Sequence, residues 1–471
     1  MKLKRVMIAA PKSGSGKTIV TCALLQALKN SGWQAVSYKC GPDYIDPLFH
    51  REVIGVPAKN LDTFFTDAEH TAKLLLRDRT ERDFAVIEGV MGLYDGLGGI
   101  RQEGSSYHLA CVTKTPIVLV ADVKGMGRSI IPLLAGFLQF DREHLIRGVI
   151  LNRISQGYYE TIKPLIEAEL PIKAIGFLPE KETYQIGNRH LGLLMPDEPG
   201  DIRERLQAAS KDLQRTVSVD SLIKIAESAQ EINTEKENKI RKKAKICNLE
   251  TNNHVSADVT VTVAVANDEA FCFYYEDNLR LLEEYGAKIR YFSPLSDEKL
   301  PEGCHAVLLG GGYPELYAKR LSDNRNMCKA IRDASKNGMP IVAECGGFLY
   351  LHRTMTDREG KRYPMAGVID ADCYDTGKSV RFGYIELREK QGCFLPEHMP
   401  IRGHEFHYFD SSDNGADAVA EKPVTGKKYS CMIIDETHWM GFPHLYYPSN
   451  PDFAKSFVEK AKRCKKGARA I

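Results

Sequence analysis

In IVAECGGF, residues 341–348, an apolar run ends at Cys345 and two glycines follow. The pattern predicts a strand, a tight turn and the start of a helix, with the thiol raised on the turn. Gly346 and Gly347 let the backbone bend sharply and leave the sulfur open to a substrate. A helix N-terminus beside a thiol favours the thiolate, the form that attacks carbonyls. A buried structural cysteine stays open as the alternative on this segment alone, because free cysteines are commonly buried.

A second glycine-rich turn precedes this segment. AVLLGGGYPE, residues 306–315, is a short apolar strand that runs into three glycines. The backbone N–H groups of Gly311 and Gly312, joined by that of Gly346, could stabilise the oxyanion that forms when a thiolate attacks an amide. Downstream, His444 in GFPHLY, residues 441–446, is the candidate general base that activates Cys345. Taken singly, the glycines also fit an ordinary turn and the histidine a structural role.

In this order, the glycine turn, the cysteine elbow and the late histidine resemble the class I glutamine amidotransferase domain. The resemblance implies hydrolysis of glutamine to ammonia through a thioester on Cys345. Many such domains carry a glutamate two residues after the histidine, whereas this chain has Tyr446 there. The third, orienting member of the triad is therefore left unassigned.

The N-terminal part of the chain carries a phosphate-binding loop. A strand predicted over 5–10 leads into PKSGSGKT, residues 11–18, and a helix is predicted over 18–29. In such a loop, backbone N–H groups cradle phosphates, Lys17 neutralises them and Thr18 holds Mg²⁺. Pro11 replaces the usual first glycine, and Lys12 fits either a phosphate contact or a surface position. The residues expected to bind ATP are Lys12, Gly14, Ser15, Gly16, Lys17 and Thr18.

Acidic residues follow two further predicted strands and are candidate ligands for the magnesium ion. Glu88 ends the strand predicted over 84–87, and Asp43 and Asp46 lie in GPDYIDP, residues 41–47. Both loops are expected at the carboxyl edge of a parallel sheet, beside the phosphate loop, where ligands bind in open α/β folds. Asp122, after the strand 116–121, is a competing metal ligand, and Asn152, after the strand 148–151, is a candidate contact to the nucleotide base. For each acid alone, a turn or a helix cap is the alternative.

Chain length and composition fit two α/β domains. The 471 residues exceed one typical core, 43% are hydrophobic, 27% are charged, and the net charge is +2. These values give no support for nucleic-acid or membrane partners, and no apolar run approaches the ~20 residues that cross a bilayer. The twelve cysteines are scattered, which argues against a disulfide framework and favours the cytoplasm.

Alternating strands and helices divide the chain into an N-terminal P-loop domain with a parallel sheet and a second α/β domain that contains Cys345. A charged, Asn-rich stretch of low apolar content separates them. The predicted boundaries are 1–230 for the P-loop domain, 231–257 for the linker, 258–450 for the amidotransferase domain and 451–471 for a terminal helix or tail.

Eight motifs together resemble the cobyrinate a,c-diamide synthase family of the anaerobic cobalamin pathway over nearly the whole chain. The motifs are GSGKT, GPDYIDP, EGVMGLYDG, NRHLGL, DEAFCFYYEDNL, GGGYPE, AECGGFLYL and RGHEFHY. The resemblance implies a dethiobiotin-synthetase-like ligase domain that uses ATP and Mg²⁺. It also implies amidation of the a and c acetate carboxylates of a corrinoid through acyl phosphates, with ammonia supplied from L-glutamine. It places catalytic acids at Asp43, Glu88 and Asp95, with Tyr44 and Asp46 near the substrate.

A substrate with several carboxylates predicts basic groups in its pocket. The candidates in or near motif-bearing loops are Arg189, His190, Lys378, Arg381, Arg402 and His404. Surface charge or loop hydrogen bonding is the alternative for each of them. Two other functions stay open: amidation of a related tetrapyrrole (hydrogenobyrinate or nickel-sirohydrochlorin), and a P-loop switch ATPase with an inert amidotransferase-like binding domain. The sequence leaves the oligomeric state open, with a homodimer as one alternative.

Overall fold

The computed structural model describes residues 2–181, 184, 188–189, 192–193, 202–232 and 260–468. The chain divides into two compact units, Met1–Thr251 and Asn252–Ile471. This division falls inside the segment 231–257 that the sequence predicts as a linker, most of which lies outside the described residues. The linker and the exact domain limits therefore stay predictions.

The first unit alternates strands and helices along the chain. Its strands are β1 Lys4–Ala9, β2 Gln34–Cys40, β3 Ala58–Leu61, β4 Asp83–Glu88, β5 Ile117–Asp122, β6 Ile146–Asn152, β7 Lys173–Leu178, β8 Asn188–Arg189 and β9 Gly192–Leu193. Its helices are α1 Lys17–Asn30, α2 Ile45–Phe49, α3 Ala68–Leu76, α4 Ser106–Thr113, α5 Ile130–Phe140, α6 Gln156–Glu169, α7 Ile202–Thr216 and α8 Val219–Glu227. A π-helical turn, His50–Ile54, continues α2, and a 3-10 turn, Leu97–Gly99, precedes α4.

Seven of these strands form one parallel sheet in the order β3-β2-β4-β1-β5-β6-β7. Its central strands are apolar and buried along nearly their whole length, as expected for a parallel sheet. The predicted strands at the ends of which the candidate residues lie are confirmed as β1, β4, β5 and β6. Because all strands run in one direction, the residues that follow them meet at a single edge of the sheet.

Side-chain caps fix where several helices of this unit begin. Ser105, Ser155 and Ser218 precede α4, α6 and α8, and each hydroxyl accepts a hydrogen bond from the backbone N–H three residues further on. Such caps satisfy one of the unpaired donors at a helix start. The helix α1 begins differently, after a glycine of the phosphate loop.

The second unit mixes parallel and antiparallel strands. Its strands are β10 Val261–Ala266, β11 Ala287–Phe292, β12 Ala306–Leu309, β13 Ile341–Glu344, β14 His352–Thr356, β15 Arg362–Pro364, β16 Ile369–Asp375, β17 Arg381–Glu389, β18 Pro400–His407, β19 Phe409–Ser411, β20 Ala418–Glu421, β21 Lys428–Cys431, β22 Ile433–Ile434, β23 His438–Gly441 and β24 His444–Leu445. Its helices are α9 Glu276–Glu284, α10 Ala318–Asp323, α11 Arg325–Lys336, α12 Gly346–Leu351 and α13 Asp452–Ala468. Two 3-10 turns, Pro314–Tyr317 and Tyr447–Ser449, complete it.

The central sheet of this unit has six strands in the order β11-β10-β12-β13-β23-β22 and is parallel except for the last pair. The glycine turn follows β12, Cys345 follows β13, and His444 comes shortly after β23. All three therefore lie at one edge of this sheet. A five-stranded antiparallel sheet, β21-β20-β17-β18-β24, carries His444 on its last strand. A further four strands form a separate sheet in the order β15-β14-β16-β19.

The terminal helix α13 belongs to the core of the second unit. Phe453, Phe457 and Val458 on this helix are fully buried and join the apolar cluster of β10 and β12. The helix predicted within 451–471 is thus confirmed by the structure, and it packs on the sheet. Across the described part of the chain, no helix is long and apolar enough to span a bilayer.

Candidate active site

The phosphate loop connects β1 to α1. Gly14 and Gly16 have φ angles of 74° and 95°, in the left-handed region that glycine adopts without strain. The Ser15 hydroxyl donates to the carbonyl of Lys12 at 2.9 Å. Lys17 opens α1, is buried, and donates a hydrogen bond to the carbonyl of Met91. Burial, aided by the nearby Lys39 cation, lowers the pKa of Lys17 to about 8, so the ammonium group is still mostly charged at neutral pH.

Asn152 supports the phosphate loop from the end of β6. Its side-chain amide donates to the carbonyl of Ser15 at 2.9 Å, and a Cβ atom on Gly16 would overlap that amide. The sequence predicted a contact between Asn152 and the nucleotide base. The structure places the amide against the loop backbone, so a role in holding the loop fits the geometry better.

Glu88 ends β4 inside the unit and is fully buried. One carboxylate oxygen accepts from the Thr18 hydroxyl at 2.7 Å and from the Lys39 ammonium at 3.0 Å. The other oxygen has no hydrogen-bond partner among the described residues and lies 3.6 Å from Nε2 of His50. Burial, and then the charge of Asp46, raise the pKa of Glu88 to about 7. A metal cation bound beside Glu88 would hold this carboxylate ionised.

Lys39 stands among the acids and was missed by the sequence analysis. Its ammonium group forms ion pairs with Asp46 and Glu88 and lies 3.9 Å from a carboxylate oxygen of Asp43. Burial alone would lower the pKa of Lys39, but these three carboxylates raise it well above its ordinary value. The available signal was a lysine near the end of a predicted strand, just before GPDYIDP.

His50, which the sequence analysis also missed, is buried next to Glu88. Its Nδ1 is 2.8 Å from the Ser37 hydroxyl, and its Nε2 is 3.5 Å from the sulfur of Cys22. Burial lowers the pKa of His50 to about 4, so the ring is neutral at physiological pH. No sequence pattern marks this histidine, because its partners lie on separate elements.

Both carboxylate oxygens of Asp43 have partners in or near the loop after β2. One of its oxygens accepts from the backbone N–H groups of Ile45 and Asp46, at 2.8 and 3.3 Å, and so caps α2. The other oxygen faces Lys39. Burial, and then Asp46, raise the pKa of Asp43 to about 6. Tyr44 follows in the same loop and is buried.

The remaining acids of the edge have different surroundings. Asp46 is buried, and burial would raise its pKa, but the Lys39 cation and then His50 lower it below its ordinary value. The carboxylate of Asp95 accepts from the N–H of Gly92 at 2.9 Å, and its charge acts on Lys17. The loop that carries Asp95 therefore runs beside the phosphate loop.

Asp122 proves a poor candidate for the metal. It forms a two-pronged ion pair with Arg153, one arm of which is 2.8 Å long, and it accepts from the N–H of Lys124 at 3.2 Å. Its charge is thus already neutralised by a guanidinium group.

Thr18 and Glu88 fit a magnesium ion. Both present oxygen atoms, the ligands that Mg²⁺ prefers, and Glu88 has a buried oxygen without a hydrogen bond from the described residues. Within the described ranges, no group of three or more His, Cys, Asp or Glu side chains could hold a metal by itself. This agrees with the usual coordination of Mg²⁺ in nucleotide sites, where phosphates and waters complete the shell.

In the second unit, Cys345 lies on a strained turn between β13 and α12. Its φ and ψ are 47° and −101°, an unusual conformation for a residue with a side chain. The backbone around it is closely packed, because the backbone N–H of Cys345 donates to the carbonyl of Gly441 at 2.8 Å and a Cβ on Gly347 would overlap the carbonyl of Leu309. The predicted cysteine elbow is therefore present in the structure.

The glycine turn after β12 lies against this elbow. A Cβ on Gly346 would come within 3.1 Å of the backbone nitrogen of Gly312. Gly311 uses its carbonyl to accept from the N–H groups of Cys272 and Phe273, both at 3.1 Å. Gly312 and Gly346, two of the three predicted oxyanion donors, are thus neighbours, while Gly311 also packs on His444.

His444 is buried beside this turn. A Cβ on Gly311 would overlap Cε1 of its ring. Burial lowers the pKa of His444 to about 3, so the ring is neutral at physiological pH and can accept a proton. The glycine turn therefore lies against the surroundings of both predicted residues: Gly311 packs on His444, and Gly312 lies beside Gly346, the residue after Cys345. The roles of Cys345 and His444 in catalysis stay predictions.

The protonation state of Cys345 differs from the expectation that the helix N-terminus would favour the thiolate. Burial raises the pKa of Cys345 well above its ordinary value, and the carboxylate of Glu315 adds to this effect. The N–H of Gly346 acts in the opposite direction but is outweighed. The resting pair is thus a thiol and a neutral imidazole.

His404, which the sequence predicts in the tetrapyrrole pocket, lies against His444. The two residues are paired across β18 and β24, and their rings are stacked with centroids 5.0 Å apart and planes at 15°. The hydroxyl of Tyr275 lies 3.2 Å from Nδ1 of His404. Strand pairing, which a single motif does not reveal, gives His404 this position. Contact of His404 with the tetrapyrrole stays a prediction.

Several other basic residues predicted for the substrate pocket pair with acidic side chains or have no described side chain. Arg381 lies 3.6 Å from the buried carboxylate of Glu405 and 4.2 Å above the ring of Tyr429. Arg402 pairs with Glu386 at 3.3 Å. Arg189 lies on β8, where only the backbone is described, and His190 is outside the described residues. Their contact with substrate stays a prediction.

Together these features define a class of protein in which a P-loop nucleotide-binding domain and a cysteine-dependent amidotransferase domain share one chain. Residues 6–194 match the model of the CobQ/CobB/MinD/ParA nucleotide binding domain, and residues 262–437 match that of the CobB/CobQ-like glutamine amidotransferase domain.

Curated relatives are similar along the whole chain. A cobyrinate a,c-diamide synthase of Caldanaerobacter subterraneus is 36% identical and covers 96% of this chain and 97% of its own. Another, of Listeria innocua, is 38% identical, with 98% and 100% covered, and one of Thermoplasma volcanium is 36% identical, with 99% of each covered. The chain belongs to the cobyrinate a,c-diamide synthase family, and it is an amide-forming ligase of the glutamine-dependent type.

Proposed function

We propose that this protein amidates the a and c acetate carboxylates of cobyrinic acid through acyl phosphates, with ATP as the phosphoryl donor and ammonia released from L-glutamine at Cys345. The observation that carries the proposal is the presence of two equipped sites in a chain similar throughout to named synthases. One unit holds Thr18 against Glu88 in the phosphate-loop region, and the other holds the Cys345 elbow against a glycine turn that packs on His444.

Activation of the acid explains the need for ATP. A carboxylate resists attack by ammonia because its charge is delocalised and oxide is a poor leaving group. An oxygen of the carboxylate attacks the γ-phosphorus of ATP, and ADP leaves. Ammonia then attacks the acyl carbon, phosphate leaves, one proton is lost and the amide remains.

The residues of the first unit position and neutralise charge in this step. Lys17 and the N–H groups of the phosphate loop bind the phosphates. Thr18 and Glu88, with Asp43 nearby, would hold Mg²⁺, which when bound neutralises charge on the phosphate oxygens. The Lys39 cation acts to lower the pKa of both Asp46 and Glu88, and Asp95 lies in the loop beside Lys17.

Glutamine supplies ammonia because free ammonia is mostly protonated at neutral pH and ammonium is not a nucleophile. The thiol proton of Cys345 passes to His444 as the sulfur attacks the amide carbon of glutamine. Since the resting thiol has a raised pKa, proton transfer and attack must be closely coupled. The N–H groups of Gly312 and Gly346 stabilise the oxyanion, ammonia leaves with the proton from His444, and water hydrolyses the thioester.

The test is mass spectrometry of products from a panel of tetrapyrrole acids incubated with ATP, Mg²⁺ and glutamine. We expect cobyrinic acid to gain two amides, with a loss of about 1 Da for each acid converted. Amidation of hydrogenobyrinate or nickel-sirohydrochlorin in preference to cobyrinic acid would contradict the proposed substrate. ATP hydrolysis without any amide would favour the P-loop switch ATPase.

A further inference from the structure

His444 needs a group that orients it, and the usual acid is absent from position 446. In catalytic triads, a third residue fixes the base and stabilises its charged form. Here Tyr446 occupies that position, and its hydroxyl donates to Asp277 at 3.0 Å. Other neighbours of the His444 ring are therefore the candidates for orienting it.

Two neighbours confine the His444 ring. Gly311 approaches so closely that a Cβ would overlap Cε1. His404 stacks on the ring at 5.0 Å and 15°, a parallel arrangement set by the pairing of β18 with β24. Both histidines are almost completely inaccessible to solvent, at 7% and 3% exposure for His404 and His444. A buried ring held in this way has little freedom to rotate.

His404 is itself held in place. The Tyr275 hydroxyl lies 3.2 Å from its Nδ1, and Tyr275 packs edge-to-face on Tyr446 with centroids 5.3 Å apart. Burial, and then the charge of His444, lower the pKa of His404 well below its ordinary value. The ring that faces His444 is therefore neutral at physiological pH, and a neutral aromatic face attracts a cation.

We propose that His404 is the positioning residue of the glutaminase site, where its stacked ring orients His444 and stabilises the imidazolium that forms when His444 takes the proton of Cys345. His404 exchanges no proton in this step, since the proton moves from the sulfur to His444 and then to the leaving ammonia. The inference rests on the proposed hydrolysis of glutamine at Cys345.

The experiment compares His404→Leu, which removes the ring, with His404→Phe, which keeps a stacking face. We expect His404→Leu to lower kcat for glutamine hydrolysis about 10- to 100-fold while KM for glutamine stays within about twofold. His404→Phe should remain within about threefold of the wild type. Amidation driven by added ammonium salt should be unchanged in both. Phe406→Leu, which removes from the same strand a ring that packs on Phe382 and Tyr408, is the matched control and should hydrolyse glutamine normally.

Three results would overturn the inference. They are an unchanged kcat in His404→Leu, an equal loss in His404→Phe, and a parallel loss of ammonia-driven amidation with a lower melting temperature, which would assign His404 to stability alone. The wild type separates this inference from the proposed function: if the wild type fails to hydrolyse glutamine, the proposed function itself fails before any variant is compared.

Discussion

Glu88 is the residue on which the ligase site depends most directly. Replacing it with glutamine removes the negative charge that would hold the metal and leaves Lys39 with fewer anionic partners. We expect Glu88→Gln to reduce amidation at least about 100-fold with either glutamine or ammonium salt as the nitrogen source. Steady-state rates with both sources provide the measurement.

Asp122→Asn is the matched control for this change. Its carboxylate also ends a strand at the same sheet edge, but it is paired with Arg153. We expect most of the activity to remain. Ammonia-driven turnover at the wild-type rate in Glu88→Gln would remove Glu88 from the metal site.

A second prediction about a single residue concerns Lys39 and the stability of the fold. It is 5% exposed, and its removal leaves buried carboxylates without their cation. Breaking such a buried pair costs about 3–5 kcal/mol, so Lys39→Met should lower the melting temperature clearly in calorimetry of the full chain. Lys39→Met combined with Asp46→Asn should recover part of the loss, because one unpaired charge is then gone. The exposed Lys211→Met serves as the control, and an equal effect there would contradict the account.

Single residues also mark the limit of the sequence analysis. Cys345, Lys17 and Glu88 stand out because glycines or strand ends flank them in the chain. Lys39 and His404 do not, since their significance comes from partners brought close only by folding. The burial that makes Cys345 a thiol rather than a thiolate is likewise a property of the packed unit.

At the scale of elements, the paired strands β18 and β24 predict how stability depends on pH. They carry His404, His407 and His444, and burial lowers the pKa of each. For His444, the unfolded chain takes up a proton near pH 6.5, while the folded chain stays neutral down to about 3. The unfolded state thus binds more protons between these values, so stability is full above pH 6.5 and falls as pH decreases, by up to about 1.4 kcal/mol per pH unit for each histidine.

Two carboxyl groups of the same unit act in the opposite direction. Burial raises the pKa of Glu315 to about 7 and that of Glu344 to about 8, so they contribute stability at low pH that is lost as pH rises through these values. A comparison with His444→Gln isolates the histidine. Its melting temperature should fall less steeply than that of the wild type between pH 6 and pH 4, and parallel curves would contradict the assigned shift.

The elements themselves were largely predictable. Parallel strands buried on both faces read as short apolar runs, which is why β1, β4, β5 and β6 could be placed from sequence, and the loops after them were expected at one sheet edge. The antiparallel strands after β14 were not assigned, because their alternating residues give a weaker signal and their order in the sheets does not follow the chain. That is why the position of His404 was missed.

At the scale of the whole molecule, the two units carry separable chemistry. Lys17, Thr18 and Glu88 lie in the first unit, and Cys345 and His444 lie in the second. A change confined to the glutaminase site should therefore spare the use of ammonia supplied from solution, whereas a change in the ligase site should abolish turnover from both sources. This asymmetry distinguishes a two-site synthase from a single-site enzyme.

The most direct measurement of this claim is amidation of cobyrinic acid by Cys345→Ala, with glutamine and with ammonium salt in parallel. We predict no amide with glutamine and a rate with ammonium salt equal to that of the wild type. Cys328→Ala, which removes another buried thiol, should behave as the wild type with both. Loss of the ammonia-driven reaction in Cys345→Ala, or continued amidation from glutamine, would contradict the account.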